Sequence, residues 1–218
     1  MIDREHEIES NEVMTLCLAA SAVCVNNQQR VAQCTRTFIT HEYNLSSLYE
    51  ALLQSYLFAG FPAALEAFST FRRTLDESDC DFTPPKVECY DVENFKKRGE
   101  QTCEKIYTSV YASMRARLGA LSPQLDEWMI VEGYGKTLTR PQLDLQRREL
   151  INVAMLATTG WERQLYSHIR GARSTGASHD EICEAIRCAL WLKGDEVFSG
   201  AMRVLEEVEN NSVQNGTS

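Results

Sequence analysis

Glu149 and His168 are the residue pair in this chain best suited to chemistry. They lie in the stretch ELINVAMLATTGWERQLYSHIRGARSTGASHDEICEA, Glu149 to Ala185. An imidazole has an unperturbed pKa of about 6.5 and can give or take a proton near neutrality. A carboxylate in contact with it fixes its tautomer and raises its basicity. The chemistry such a pair suits is the movement of one proton. The same pair also reads as a buried structural contact without turnover, and sequence alone leaves both open.

Two helices must bring the pair together. Leu145, Leu150, Val153, Leu156 and Ala157 mark the apolar stripe of one, and the Thr159-Gly160 turn sends the chain back along the next. On that second helix Trp161, Gln164 and His168 step by three and four residues and share a face. Leu165 and Ile169 lie beside that face and can bury it, while Arg163 and Arg170 point away. Thr159 or Gly160 is positioned to cap the helix, and Glu162 in the first turn suits the positive end of its dipole.

The rest of the chain carries the same period, and no stretch alternates as a strand does. The pattern predicts helices at 9–25, 27–40, 45–59, 61–75, 93–118, 122–131, 141–158, 161–174, 178–192 and 194–208. Glycine and proline mark the joints, among them Gly60-Phe61-Pro62, Pro84-Pro85, Gly160, Gly176 and Gly194. The expected fold class is all-α.

Composition bounds the function. The 218 residues are 44% apolar, enough for a sizeable core, and the net charge is -9. Without a basic patch there is nothing to neutralise phosphates, which argues against a nucleic-acid partner. No apolar run approaches the roughly 20 residues that span a bilayer, so no membrane partner is expected. The N-terminus, MIDREHEIES, has no apolar signal core, and the expected location is cytoplasmic. The eight cysteines form no Cys-x-x-Cys pair and read mostly as small buried apolar residues. No spacing of His, Cys and carboxylate suggests a metal site.

The chain also repeats itself. Ser47 to Phe68, SLYEALLQSYLFAGFPAALEAF, lies over Glu181 to Met202, EICEAIRCALWLKGDEVFSGAM, with Glu50 on Glu184, Gly60 on Gly194 and Ala67 on Ala201. Extended backwards, Asn26 falls on Gly160, Thr15 on Glu149 and Cys34 on His168. The first copy therefore lacks the acid and the imidazole. The expected division is a degenerate repeat at 1–75, a connector and long helix at 76–118, a C-terminal repeat with the candidate site at 119–208, and a disordered tail at 209–218.

These residues resemble the carboxymuconolactone decarboxylase family, which includes the alkylhydroperoxidase D-like proteins. The resemblance is carried by EGYGKTLTRPQLDLQRREL, QLYSHIRGA and TGASHDEICEAI in the second half, and by YEALLQSYLFAGFPAALEAF in the first. It implies a duplicated helical bundle and a ring-shaped homo-oligomer, for a duplicated chain a homotrimer. The peroxidase branch of that family uses a glutamate, a Cys-x-x-Cys pair and a histidine. Carried over, the glutamate is Glu149 and the histidine His168, while the two cysteine positions hold Trp161 and Gln164. Without two thiols there is no dithiol to reduce a peroxide and close to a disulfide. The decarboxylase branch needs none, so the resemblance leans toward a cofactor-free carboxy-lyase acting on a small carboxylated lactone or ring compound. His168 is then the proton donor and Glu149 its partner. Arg148, Arg140 or Arg170 would hold substrate carboxylates, and Trp161, Gln164 and Tyr134 would line the pocket. The alternatives are a peroxide-related oxidoreductase using isolated cysteines, and a non-catalytic oligomeric module.

Two motifs come to less. Gly135-Lys136-Thr137 ends like a phosphate-binding loop, but Ile130 stands where that loop needs glycine. His41 and His179 follow or start helices, where capping or solvent contact explains them.

Overall fold

A computed structural model describes residues 11–215, all-α and without a strand among the described residues. The charged leader, the expected helix start at residue 9 and the last three residues of the expected tail lie outside that range.

Two helices are buried on nearly every side and form the centre. In α1 (Glu12–Cys24) every residue from Met14 to Val23 is buried, and in α8 (Leu145–Thr159) every residue from Arg148 to Thr158. A helix that is apolar all round belongs inside. Small residues, Ala19, Ala20 and Ala22 on α1 with Ala154 and Ala157 on α8, leave room for close packing in one shared core. Asn11 caps α1 by accepting from the Met14 N–H, and Asp144 caps α8 by accepting from Arg147.

Around α1 pack α2 (Gln28–Thr40), α3 (Leu45–Gln54) and α4 (Tyr56–Glu77); around α8 pack α9 (Glu162–Ser174), α10 (His179–Lys193) and α11 (Asp195–Asn215). When Ser47 is laid on Glu181, Gln28–Thr40 falls on Glu162–Ser174 end for end. In the same frame three left-handed backbone positions coincide: Asn26 with Gly160 (φ 53 and 75), Glu42 with Gly176 (φ 54 and 103), and Gly60 with Gly194 (φ 78 and 90). Gly60 also makes the predicted corner, holding φ 78 and ψ 170 between the two parts of α4.

Between these groups lie α5 (Val92–Tyr107), a 3-10 turn (Thr108–Val110), α6 (Tyr111–Leu121), α7 (Pro123–Trp128) and a π-helix (Met129–Thr137). The long helix expected over 93–118 is therefore two. Thr108, at φ 45, closes the first, and Tyr107 to Tyr111 is a run of weak helix formers. The π-helix takes the last three residues of the helix predicted over 122–131 and runs on into the stretch before the one predicted from 141. Its backbone meets that of α5 at two glycines: a Cβ on Gly135 would overlap the Phe95 carbonyl, and one on Gly99 the Ile130 carbonyl. Cys103, Ile106, Tyr107, Ile130 and Tyr134 form a second, smaller core there.

One further correction concerns the end of the chain. Residues 209–215 continue α11 as helix rather than forming a tail. The cysteines divide: Cys17, Cys34, Cys103 and Cys188 are buried, Cys24, Cys80 and Cys183 partly so, and Cys89 is exposed. Burial pushes the thiols of Cys17, Cys24, Cys34 and Cys103 up to about 12.

Candidate functional site

His168 lies on the inner face of α9, and its Nδ1 is 2.7 Å from Oε2 of Glu149 on α8. Gly160, in the left-handed conformation at the C-cap of α8, turns the chain so that the helices run side by side. Trp161 rather than Thr159 or Gly160 is the N-cap of α9, without a side-chain cap bond. Glu149 is fully buried, while the His168 side chain is 14% exposed. The carboxylate is thus held inside, and the ring reaches the surface.

Gly171, three residues past His168, makes room for the acid. A Cβ there would lie 2.6 Å from Glu149 Oε2 and 2.9 Å from the Ile106 side chain. Phe58 and Tyr107 stand nearly edge-on to the imidazole, at centroid distances of 6.2 and 6.4 Å. Tyr134 donates its hydroxyl hydrogen to the Tyr107 oxygen at 2.9 Å. Burial raises the pKa of both phenols, so both stay protonated.

The pair is the end of a longer buried chain whose direction is fixed at its other end. Arg148 can only donate. Its Nη2 donates to Glu50 Oε2 at 3.1 Å and to the Arg140 carbonyl at 2.9 Å, and its Nη1 to Gln54 Oε1 at 2.9 Å. That orients the Gln54 amide, whose nitrogen then donates to Asn152 Oδ1 at 2.7 Å and to the Arg148 carbonyl at 3.0 Å. Asn152 in turn presents its nitrogen to Glu149 Oε1 at 3.2 Å. Glu149 accepts on one oxygen from Asn152 and meets the imidazole with the other. An ionised carboxylate only accepts, so His168 Nδ1 carries hydrogen and Nε2 is left as the nitrogen that can exchange a proton. Every amide in this chain is buried, so a reversed orientation would leave polar atoms unpaired at about 1–3 kcal/mol each.

The other expected residues divide between this network and the surface. Arg148 is fully buried and holds Glu50 and Gln54; its Nε has no hydrogen-bond partner. Arg140 clamps Glu50 through Nε and Nη2 at 2.8 to 3.0 Å. Tyr134 is buried one phenol away from His168. Trp161 is 63% exposed, and Gln164 and Arg170 are exposed on the same helix. The structure therefore brings together Glu149, His168, Arg148 and Arg140 through Asn152, Gln54 and Glu50, and leaves Trp161, Gln164 and Arg170 outside.

A cleft of 240 Å³ opens beside the Arg140 end, lined by Leu53, Tyr56, Phe61, Leu65, Lys136 and Arg140 among others; neither Glu149 nor His168 lines it. Sequence reading missed Asn152, Gln54, Glu50, Tyr107 and Gly171. Asn152 and Gly171 had a signal, standing three residues from Glu149 and His168 on the same helices. Gln54 and Glu50 had none, since they come from the other half of the chain.

Residues 124–207 match the Carboxymuconolactone decarboxylase family. A 4-carboxymuconolactone decarboxylase of Acinetobacter baylyi (strain ATCC 33305 / BD413 / ADP1) is 34% identical over 76 residues. The match spans 34% of this chain and 56% of that relative, less than two thirds of its length.

Proposed function

From the match of residues 124–207 to the carboxymuconolactone decarboxylase family we propose that the chain is a cofactor-free carboxy-lyase. Its substrate is a small carboxylated lactone or ring compound of the 4-carboxymuconolactone type. The observation that carries this reading is the 2.7 Å contact between a buried carboxylate and a partly exposed imidazole.

The reaction needs little else. The departing carboxylate of 4-carboxymuconolactone sits on the γ carbon of an unsaturated lactone. When carbon dioxide leaves, the electron pair spreads through the double bond to the lactone oxygen. The substrate is its own electron sink, and the protein must stabilise the dienolate and protonate its α carbon. His168 Nε2 delivers that proton and regains one from water. Glu149 stabilises the imidazolium from Nδ1, and Asn152, Gln54 and Arg148 hold Glu149 in register. Arg140 and Arg148 act as positioning residues in this scheme, because both are occupied by Glu50.

We also read the chain as a duplicated unit with one site, and its assembly as a homo-oligomer. The coincident left-handed positions in the Ser47-on-Glu181 frame support the duplication. A second reading, an oligomeric module without turnover, draws on one observation: the 240 Å³ cleft is not lined by the pair. One assay separates the two. The protein is given 4-carboxymuconolactone, then a panel of related carboxylated lactones, in D₂O. Carbon dioxide release with deuterium at the product's α carbon is expected. If no member of the panel loses carbon dioxide, the lyase reading fails.

A further inference from the structure

Three helices converge on a thiol that belongs to no part of the Glu149 network. Cys183 sits on α10 one turn beyond His179, and its Sγ is 3.3 Å from His179 Nε2. His179 Nδ1 is 2.7 Å from Glu209 Oε1 on α11. Arg173 on α9 donates to the same oxygen at 2.8 Å.

The roles follow from what each group can do. Arg173 only donates, and its ion pair holds the Glu209 carboxylate in place. The ionised carboxylate only accepts, so His179 Nδ1 carries hydrogen. In the neutral ring the lone pair is then on Nε2, aimed at Sγ, and the thiol is the donor. A nucleophile, a base within reach of it and a third group orienting the base make up the arrangement that activates a weak nucleophile. Burial pushes the Cys183 thiol up, with Glu209 and Asp180 adding to the rise and Arg187 opposing it. The thiol therefore rests protonated, and its reactivity depends on a neighbouring base.

We propose that Cys183 is a base-activated thiol and a site of oxidation by hydrogen peroxide or a comparably small hydroperoxide, with His179 as base and Glu209 and Arg173 positioning it. Cys183 is partly buried against the main core, a position that favours a small oxidant. In the reaction the thiol proton passes to His179 Nε2 and the sulfur attacks one peroxide oxygen. The S–O bond forms, the O–O bond breaks, and the departing hydroxide takes the proton from His179 to leave as water. The sulfur is oxidised by two electrons to a sulfenic acid, and the peroxide is reduced by two. The proposal does not depend on the decarboxylase reading.

Cys89 is the internal control, being exposed where Cys183 is only partly so. The full chain is treated with limiting hydrogen peroxide, sulfenic acid is trapped with dimedone, and each cysteine is followed by peptide mass spectrometry. Cys183 is expected to label at least about a hundredfold faster than Cys89, the low end of what a positioned base contributes. His179→Ala brings it down to the Cys89 rate or below. His179→Gln, which can still donate to Glu209 but offers no base, does the same and serves if the alanine variant is misfolded. Labelling of Cys183 no faster than Cys89, or an unchanged rate in the folded His179 variant, overturns the proposal.

Discussion

Gly171 carries the sharpest residue-scale prediction, because its missing side chain is what admits the Glu149 carboxylate. Gly171→Ala puts a methyl 2.6 Å from Oε2 and must displace the acid or the helix. Turnover on the substrate identified by the lactone panel is expected to fall about a hundredfold, the cost of a shift near 1 Å at a reacting group. Circular dichroism should stay that of a folded helical protein; full activity would show that the acid's position is immaterial. Arg148 supports the same site through stability. Arg148→Met leaves buried Gln54 without its donor and Glu50 with Arg140 as its remaining cation, and urea titration should show a loss of about 1.5–3 kcal/mol. Glu149 and His168 were legible because a carboxylate and an imidazole stand out on apolar helices. The role of Arg148 was not. An arginine beside a glutamate reads as solvated or free for substrate, and its true partners, Glu50 and Gln54, lie 98 and 94 residues earlier.

Elements were legible where apolar period and punctuation agreed, as in α2 and α9, whose predicted bounds lie within a residue of those observed. They were not legible where packing overrides local pattern. Nothing in Met129–Thr137 announces a π-helix, since the cause is the approach of α5 at Gly99 and Gly135. Gly135→Ala is expected to cost about 1–3 kcal/mol, read as a lowered denaturation midpoint, because the clash is with backbone that cannot rotate away. The start of α10 makes a pH prediction. The Ser178 backbone N–H and hydroxyl both bond the Glu181 carboxylate and hold its pKa below the usual range. A depressed acid stabilises the fold above its ordinary pKa of about 4.3, and that stability is lost as pH falls through the folded value. The melting temperature of the protein should therefore exceed that of Glu181→Gln at neutrality, and the gap should close on acidification below about pH 4. A gap that widens on acidification would contradict this account of the cap.

Among the described residues the molecule is two central helices, each with its own escort of three, joined by a section with a smaller core. That all-α class was legible from period alone, whereas the polar chain crossing from Arg140 to His168 was not, because its members come from both halves. Phe61 and Leu65 lie side by side on α4, 68% and 63% exposed at the mouth of the cleft. Apolar surface of this kind fits an oligomer contact. Light scattering on the eluting protein should give a multiple of the 24.7 kDa chain, and a Phe61→Asp, Leu65→Asp variant a smaller species that remains helical. An oligomer unchanged by both substitutions would place the contact elsewhere. The claim on which the functional account rests is that the His168 imidazole, oriented by Glu149, hands over the proton that replaces carbon dioxide. Its most direct measurement is carbon dioxide release from 4-carboxymuconolactone by the protein and by His168→Ala, both verified as folded. The account predicts release by the former and a loss of at least about a hundredfold in the latter; equal rates would contradict it.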